Sequence, residues 1–242
     1  LNRAAQSLRP LVQLIEGAGY SAVPLTVPSS RPGRAIVRTA KEREVDLILM
    51  GWHSSLWGNR FLGGNVGEVL RDASTDVAVL VDPANTGVPL KRDATILVPH
   101  GGGFHEDVGL DLALRLAHAS GANVTLLGPE GEESGHALAS RAADAYEHTG
   151  VWTTPMPVSS DDTGGFLIER AKDADLVVLG VGDAWVRDKG SLGGLREAVA
   201  ARTSAPILLV RRHGQRRLRR QKEWIVDVRA DRPADPVGTG TP

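Results

Sequence analysis

Cysteine is absent from this chain of 242 residues, which removes disulfide scaffolds, thiolate nucleophiles and Cys-ligated metal centres and fits a reducing compartment. An excess of one charge sign is missing as well. The formal net charge is -1, so no global field draws the protein to nucleic acid or membrane, and any such attraction must be local. Long apolar runs are lacking: stretches such as "VAVLV" and "ILLV" are strand-sized, far short of the roughly 18 residues a spanning helix needs. No GxxxxGK[ST] segment occurs, which excludes a P-loop nucleotidase, and "GVGDAW" carries Trp185 where a dinucleotide fingerprint needs its third glycine. What is present is 41% hydrophobic residues, enough to build real cores in a chain long enough for two modest domains.

Short runs rich in Val, Leu and Ile alternate with amphipathic stretches, the pattern of a parallel sheet covered by helices. Strands are expected at 21–27, 46–51, 76–81, 94–99, 122–127, 151–156, 175–180 and 206–210. Helices are expected near 1–17, 32–44, 65–73, 105–119, 134–148, 163–173 and 194–203. The chain also aligns with itself. "VDLILMG" (45–51) matches "ADLVVLG" (174–180), and the pairs Gly51/Gly180, Gly64/Gly193 and Val81/Val210 are all 129 residues apart. Upstream, "GYSAVPLTV" (19–27) pairs with "GVWTTPMPV" (150–158) at an offset of 131. The second copy opens with "ATILVPHGGGFHEDVGLDLALRLAHASGANVTLLG", a strand–helix–strand unit that the first copy lacks. The expected organisation is a truncated first copy over 1–83, a turn-rich linker over 84–93, a second copy over 94–212 and a basic, disordered tail over 213–242. The opening at Leu1, inside a helical pattern with neither initiator methionine nor signal peptide, suggests a fragment.

The segment "GWHSSLWGNRFLGGNVGEVL" (51–70) holds five glycines and ends in what reads as the first turn of a helix. Glycines permit close backbone approach, and a helix N-terminus offers unpaired N–H groups to an anion, so the segment is a candidate phosphate loop. These residues and the repeat resemble the universal stress proteins, whose small doubly wound α/β domains often occur in tandem. In that family the fourth strand runs into a nucleotide signature of Gly, two residues, Gly, nine residues, then Gly followed by Ser or Thr. The first copy here gives Gly51, Ser54, Gly64 and Asn65, and the second gives Gly180, Asp183, Gly193 and Gly194. The spacing is kept twice while the second Gly and the Ser/Thr are replaced twice. The resemblance therefore implies ATP as a ligand. Its contacts would come from Gly51, His53, Ser54, Gly63, Gly64, Asn65 and Val66 in the first copy, and from His100, Gly180, Gly182, Gly193 and Gly194 in the second. Asn65 is placed to cap its helix with Glu68 three residues on. Asp183 and Asp188 put carboxylates into the second loop, which points to a degenerate site there.

Together with the linker and the "ILVPHGGGFHEDVGL" that follows, the first loop resembles the soluble tail of bacterial cation/proton antiporters and, close behind, amino-acid permeases with tandem stress-protein domains. The resemblance implies a cytoplasmic regulatory or sensing region rather than an enzyme, an upstream membrane transporter domain and a homodimer. A stand-alone nucleotide-binding stress protein and a dimerisation module with degenerate sites are the alternatives. No metal site is expected, because the spacing of His100, His105, Glu106 and Asp107 fits no standard set. His53 and Ser54 lack an assignable third partner for nucleophilic chemistry. The block "RRHGQRRLRRQK" (211–222) carries six Arg and one Lys, which suits an anionic membrane surface, and the absence of aromatics inside it argues against nucleic acid. Without its first strand–helix–strand unit, the first copy should expose an edge beside 46–51 and be the less stable, more self-associating half.

Overall fold

Strands that are apolar on both faces must be roofed by helices on both sides, and this chain supplies them in alternation. The computed structural model describes residues 2–52, 64–82, 87–88, 90–159, 163–182 and 194–213. The first half contributes α1 (Asn2–Gly17), α2 (Pro32–Glu42), β1 (Leu47–Trp52), α3 (Gly64–Asp72) and β2 (Asp76–Val81). The second half contributes β3 (Thr95–Pro99), α4 (Phe104–Ser120), β4 (Asn123–Pro129), α5 (Glu132–Thr149), β5 (Thr153–Val158), α6 (Thr163–Lys172), β6 (Leu176–Gly180), α7 (Gly194–Arg202) and β7 (Ile207–Arg211). All seven strands form one sheet in the order β1-β2-β7-β6-β3-β4-β5. One face packs α2, α3, α6 and α7 over Val79, Leu97, Val177 and Leu209; the other packs α4 and α5 over Ile96, Val124, Val178 and Val210.

Within each half the strands run parallel, and the halves meet through β2 and β7, which are antiparallel. Val79 faces Leu209 and Leu80 faces Leu208 across this joint. Under the 129-residue repeat, Val79 corresponds to Leu208 and Leu80 to Leu209, so the two central pairs exchange with each other. The joint is therefore a pseudo-two-fold, self-complementary contact. Beyond β7 the chain stays on the joint: His213 N–H donates to Asp76 Oδ1 (3.1 Å), and His213 Nε2 donates to the Leu70 carbonyl (2.7 Å). Arg211 and Arg212, the first two charges of the basic block, are buried here, so neither is available to a membrane. Residues 214–222 of that block lie outside the described residues.

The expected strand at 21–27 does not form. These residues belong to no strand, although their counterparts in β5 pair with β4 over six positions. The cause is non-local. A strand needs a neighbour, and among the described residues the first half holds nothing equivalent to β4. The local features of the same stretch survive: α1 forms, and Gly19 takes the left-handed conformation (φ 86) seen at its counterpart Gly150 (φ 69), which ends α5. β1 is the sheet's terminal strand, as an exposed edge beside 46–51 requires.

Burial pushes His213 below its ordinary value of 6.5, and the neighbouring Arg211 charge adds to this, against the hydrogen bond to Leu70. The unfolded chain then binds the proton more readily than the folded one. Stability from this group is complete above about pH 6.5 and falls as pH drops toward the lowered folded value. Urea unfolding at pH 7.5 and 5.5 should show a loss on acidification that is smaller in His213→Gln. An equal loss in both proteins would remove His213 from the joint's pH dependence.

Candidate functional site

Parallel sheets bind ligands at the carboxyl ends of their strands, where the strand order reverses. In the second half that point lies between β3 and β6. A cavity of about 280 Å³ opens there, lined among others by His100, Glu106, Leu127, Leu179, Gly180 and Arg196. The floor is made by glycines that permit close approach. A Cβ on Gly128 would lie 2.8 Å from the His100 carbonyl, and one on Gly180 would lie 3.0 Å from the Glu106 backbone N. The N-terminus of α4 thus sits directly over the end of β6.

The glycine loop between β3 and α4 is the natural anion cradle, yet its amides have internal acceptors. Gly101 and Gly103 N–H groups both donate to Glu106 Oε2 (2.7 and 2.9 Å), and Gly102 N–H donates to His100 Nδ1 (3.2 Å). Gly102 has φ +90, a left-handed conformation that favours glycine. Glu106 is the third residue of α4, and its acceptance of the Gly103 N–H is the one half of a capping box that a glycine N-cap allows. Its other oxygen lies 3.7 Å from Arg196 of α7. The carboxylate thus occupies the loop's own N–H groups and faces the one arginine among the cavity's lining residues.

His100 is buried, with its side chain 3% exposed. With Nδ1 accepting from Gly102, its Nε2 carries the proton and donates to Asp107 Oδ1 (3.1 Å). Asp107 also takes a 2.6 Å bond from Arg141. Burial pushes the Asp107 carboxyl up, but the His100 hydrogen bond and the Arg141 charge outweigh it and hold it below its ordinary value. His105 Nδ1 accepts from Arg212 N–H (3.0 Å), and the Arg212 guanidinium stacks 4.6 Å from the Phe104 ring centroid. The residues from His100 to Asp107 therefore hold the loop, α4 and β7 together. Among the described residues no group of three or more His, Asp or Glu side chains is placed to hold a metal ion.

Of the residues singled out by sequence, His100 and Gly180 meet at this cavity, Gly182 follows β6 and accepts from Arg211 (3.1 Å), and Gly194 opens α7. Gly193 lies outside the described residues. In the first half Gly51 is the next-to-last residue of β1, exposed, and Gly64 opens α3 with φ +61. His53, Ser54 and Gly63 lie outside the described residues. Asn65 does not stand ahead of α3 as its cap. It lies within the first turn, its Oδ1 accepts from Gly33 N–H of α2 (3.3 Å), and Glu68 pairs with Arg34 (3.1 Å) rather than reaching back. Val66 is buried in the core. Because the halves run antiparallel, the ends of β1 and β6 lie at opposite ends of the sheet and cannot share a ligand. Sequence reasoning missed Glu106 as the loop's own anion, although Gly103-x-x-Glu106 ahead of an apolar run is a readable cap signal.

Residues 2–80 match the universal stress protein family (Usp). No curated protein matches the sequence. Among solved structures the chain is similar to a universal stress protein from Archaeoglobus fulgidus, at 21% identity over 87% of this chain and 77% of that one with a TM-score of 0.60. It is similar to the cytoplasmic domain of a prokaryotic cation chloride cotransporter, at 13% identity over 86% and 81% with a TM-score of 0.58. A protein of unknown function from Pseudomonas aeruginosa matches at 14% identity over 92% and 82% with a TM-score of 0.50. At these identities the likeness is one of fold. By sequence over residues 2–80 and by fold over both halves, the chain resembles the universal stress proteins.

Gly180 and Gly51 are equivalent in sequence but not in surroundings, since among the described residues nothing lies within 4 Å of a Cβ on Gly51. Gly180→Ala should destabilise the protein by about 1–3 kcal/mol through displacement of the α4 backbone, whereas Gly51→Ala should change stability by less than about 0.5 kcal/mol. Paired urea denaturations decide this; equal costs would mean that α4 does not seat on Gly180 as described.

Proposed function

We propose that this chain is a non-catalytic regulatory region of universal-stress-protein type, organised as a shortened first copy (1–83), a linker (84–93) and a second copy (94–212). It works on the cytoplasmic side beside a membrane transporter of the cation/proton antiporter kind. The observation that carries the regulatory reading is Glu106. A binding cleft whose loop amides are already held by the protein's own carboxylate favours weak, displaceable occupancy over tight cofactor retention. Adenine nucleotide is the fitting ligand class, because its phosphates would compete with Glu106 for Gly101, Gly103 and Arg196. The transporter part of the reading is supported by the likeness to a cotransporter's cytoplasmic domain. It is compatible with the lack of any described helix long and apolar enough to cross a membrane.

Equilibrium dialysis with labelled ATP should give a dissociation constant weaker than roughly 1 μM. Glu106→Ala frees two N–H donors and removes a like charge, so it should tighten binding by roughly tenfold, equivalent to about 1.4 kcal/mol. Unchanged or weaker binding in that variant would overturn the competition. For the transporter reading, an antibody raised against residues 94–212 should find the natural gene product in carbonate-washed membranes. Its recovery as a soluble species near 25.7 kDa would sink the attachment.

A further inference from the structure

A second cavity, of about 530 Å³, lies between α4 and α5 and shares no lining residue with the one at the ends of β3 and β6. Leu110 and Leu114 of α4 and Ala137 and Ala145 of α5 give it apolar walls. Arg212 lines it as well. This residue is 4% exposed, and its Nε is fully buried with no hydrogen-bond partner. Its backbone N–H is fixed on His105 (3.0 Å) and its guanidinium lies 4.6 Å from the Phe104 ring centroid, so neither contact gives the guanidinium an acceptor. Asp107 is the carboxylate whose charge couples to it, yet Asp107 accepts its hydrogen bonds from His100 and Arg141 instead.

Taking a guanidinium out of water costs free energy unless its donors are met, and stacking on a ring replaces only part of the lost hydration. The repeat does not demand the arginine: at the 129-residue offset Arg212 falls on Pro83. Arg141, which lines the same cavity, falls on Pro10 at the 131-residue offset. Its side chain is 43% exposed and gives one 2.6 Å bond to Asp107, which leaves further N–H donors on its fork. Arg212 and Arg141 set against Asp107 leave this end of the groove with an excess of positive charge. The other end carries Asp144, and Asp111 paired with Arg115 (3.6 Å). An anion is therefore drawn to the Arg141–Arg212 end and kept from the Asp111–Asp144 end.

We propose that the groove between α4 and α5 binds a small organic oxyanion, a carboxylate or a phosphate monoester. Arg212 and Arg141 take its charged group, and its apolar part lies against Leu110 and Leu114. Each planar guanidinium fork matches two oxygens of such a group, and a fork that no protein acceptor fills is the better placed to receive one. The volume falls within the roughly 300–1,000 Å³ of small-molecule pockets, more than an inorganic ion fills. The site is separate from any nucleotide at the β3–β6 cavity, whose lining arginine is Arg196.

The test titrates the nitrogen-labelled chain with inorganic phosphate and, in parallel, with acetate, and reads the arginine side-chain Nε–H signals by NMR. The Arg212 and Arg141 signals should shift together and saturate with one dissociation constant, of about 10 mM or tighter. Saturation by either ion supports the site, and the tighter of the two names the group its ligand carries. Arg141→Gln should weaken the binding seen at Arg212 by roughly tenfold. Arg196→Gln should leave it unchanged, which separates the groove from the β3–β6 cavity. Failure of both ions to saturate the Arg212 signal overturns the proposal. So does binding that is lost in Arg196→Gln and kept in Arg141→Gln. Should Arg141→Gln fail to fold, the Arg212 signal of the unsubstituted chain decides by itself.

Discussion

The antiparallel ladder between β2 and β7 is the contact on which the rest of the molecule depends. β1 and β2 alone would be a two-stranded ribbon, too small to stand in water. Joined through Val79–Leu209 and Leu80–Leu208, they become the extension of a five-stranded sheet with helices on both faces. The self-complementary register shows why a duplicated sequence finds this arrangement. Equivalent residues meet each other's partners, so one strand design serves both sides of the joint. The same ladder puts the carboxyl ends of β1 and β6 at opposite ends of the sheet, so a ligand at one strand end would be spatially separate from a ligand at the other.

Glu106 shows how a motif's spacing can persist while its chemistry shifts. A glycine loop ahead of a helix presents donors that must be satisfied by something. Here the third residue of α4 supplies the acceptor, and Arg196 lies near enough to compensate the charge. An empty cradle of this kind would leave several N–H groups short of partners beneath a half-enclosed cavity. The internal carboxylate removes that cost and keeps the loop ordered without a ligand.

Much of this was legible in the sequence, for reasons that differ by element. The strands of the second half are apolar on both faces and bounded by glycine or turn residues, so "ADLVVLG" and "PILLV" were placed within a residue or two. The helices followed from amphipathic spacing, and the repeat predicted the edge at β1. The segment 21–27 failed because its β character is carried by partners rather than by its own residues: "SAVPLTV" aligns with its counterpart in β5, but among the described residues no strand pairs with it. Asn65 failed for a related reason, since its carboxamide found a donor on α2, 32 residues away, that no local cap rule could indicate. The burial of Arg211 and Arg212 was hidden by their membership in a run of charge. Only the joint's geometry separates two structural arginines from the block that follows them.

Those residues give the joint a second role. Arg211 sits in the ladder opposite Val77 and donates to the carbonyl of Gly182, at the end of β6. Arg212 binds His105 through its N–H and stacks on Phe104, both in the first turn of α4. His213 binds Asp76 and Leu70 of the first half. Three consecutive residues thus touch the β6 loop, the helix that carries Glu106, and the opposite half of the molecule. Peptide geometry lets such a tripeptide adjust little without breaking one of these contacts. The turn of α4 that carries Glu106 is thus fastened through Arg212 to the segment that holds the two halves together, so the candidate cavity and the joint share one set of direct contacts.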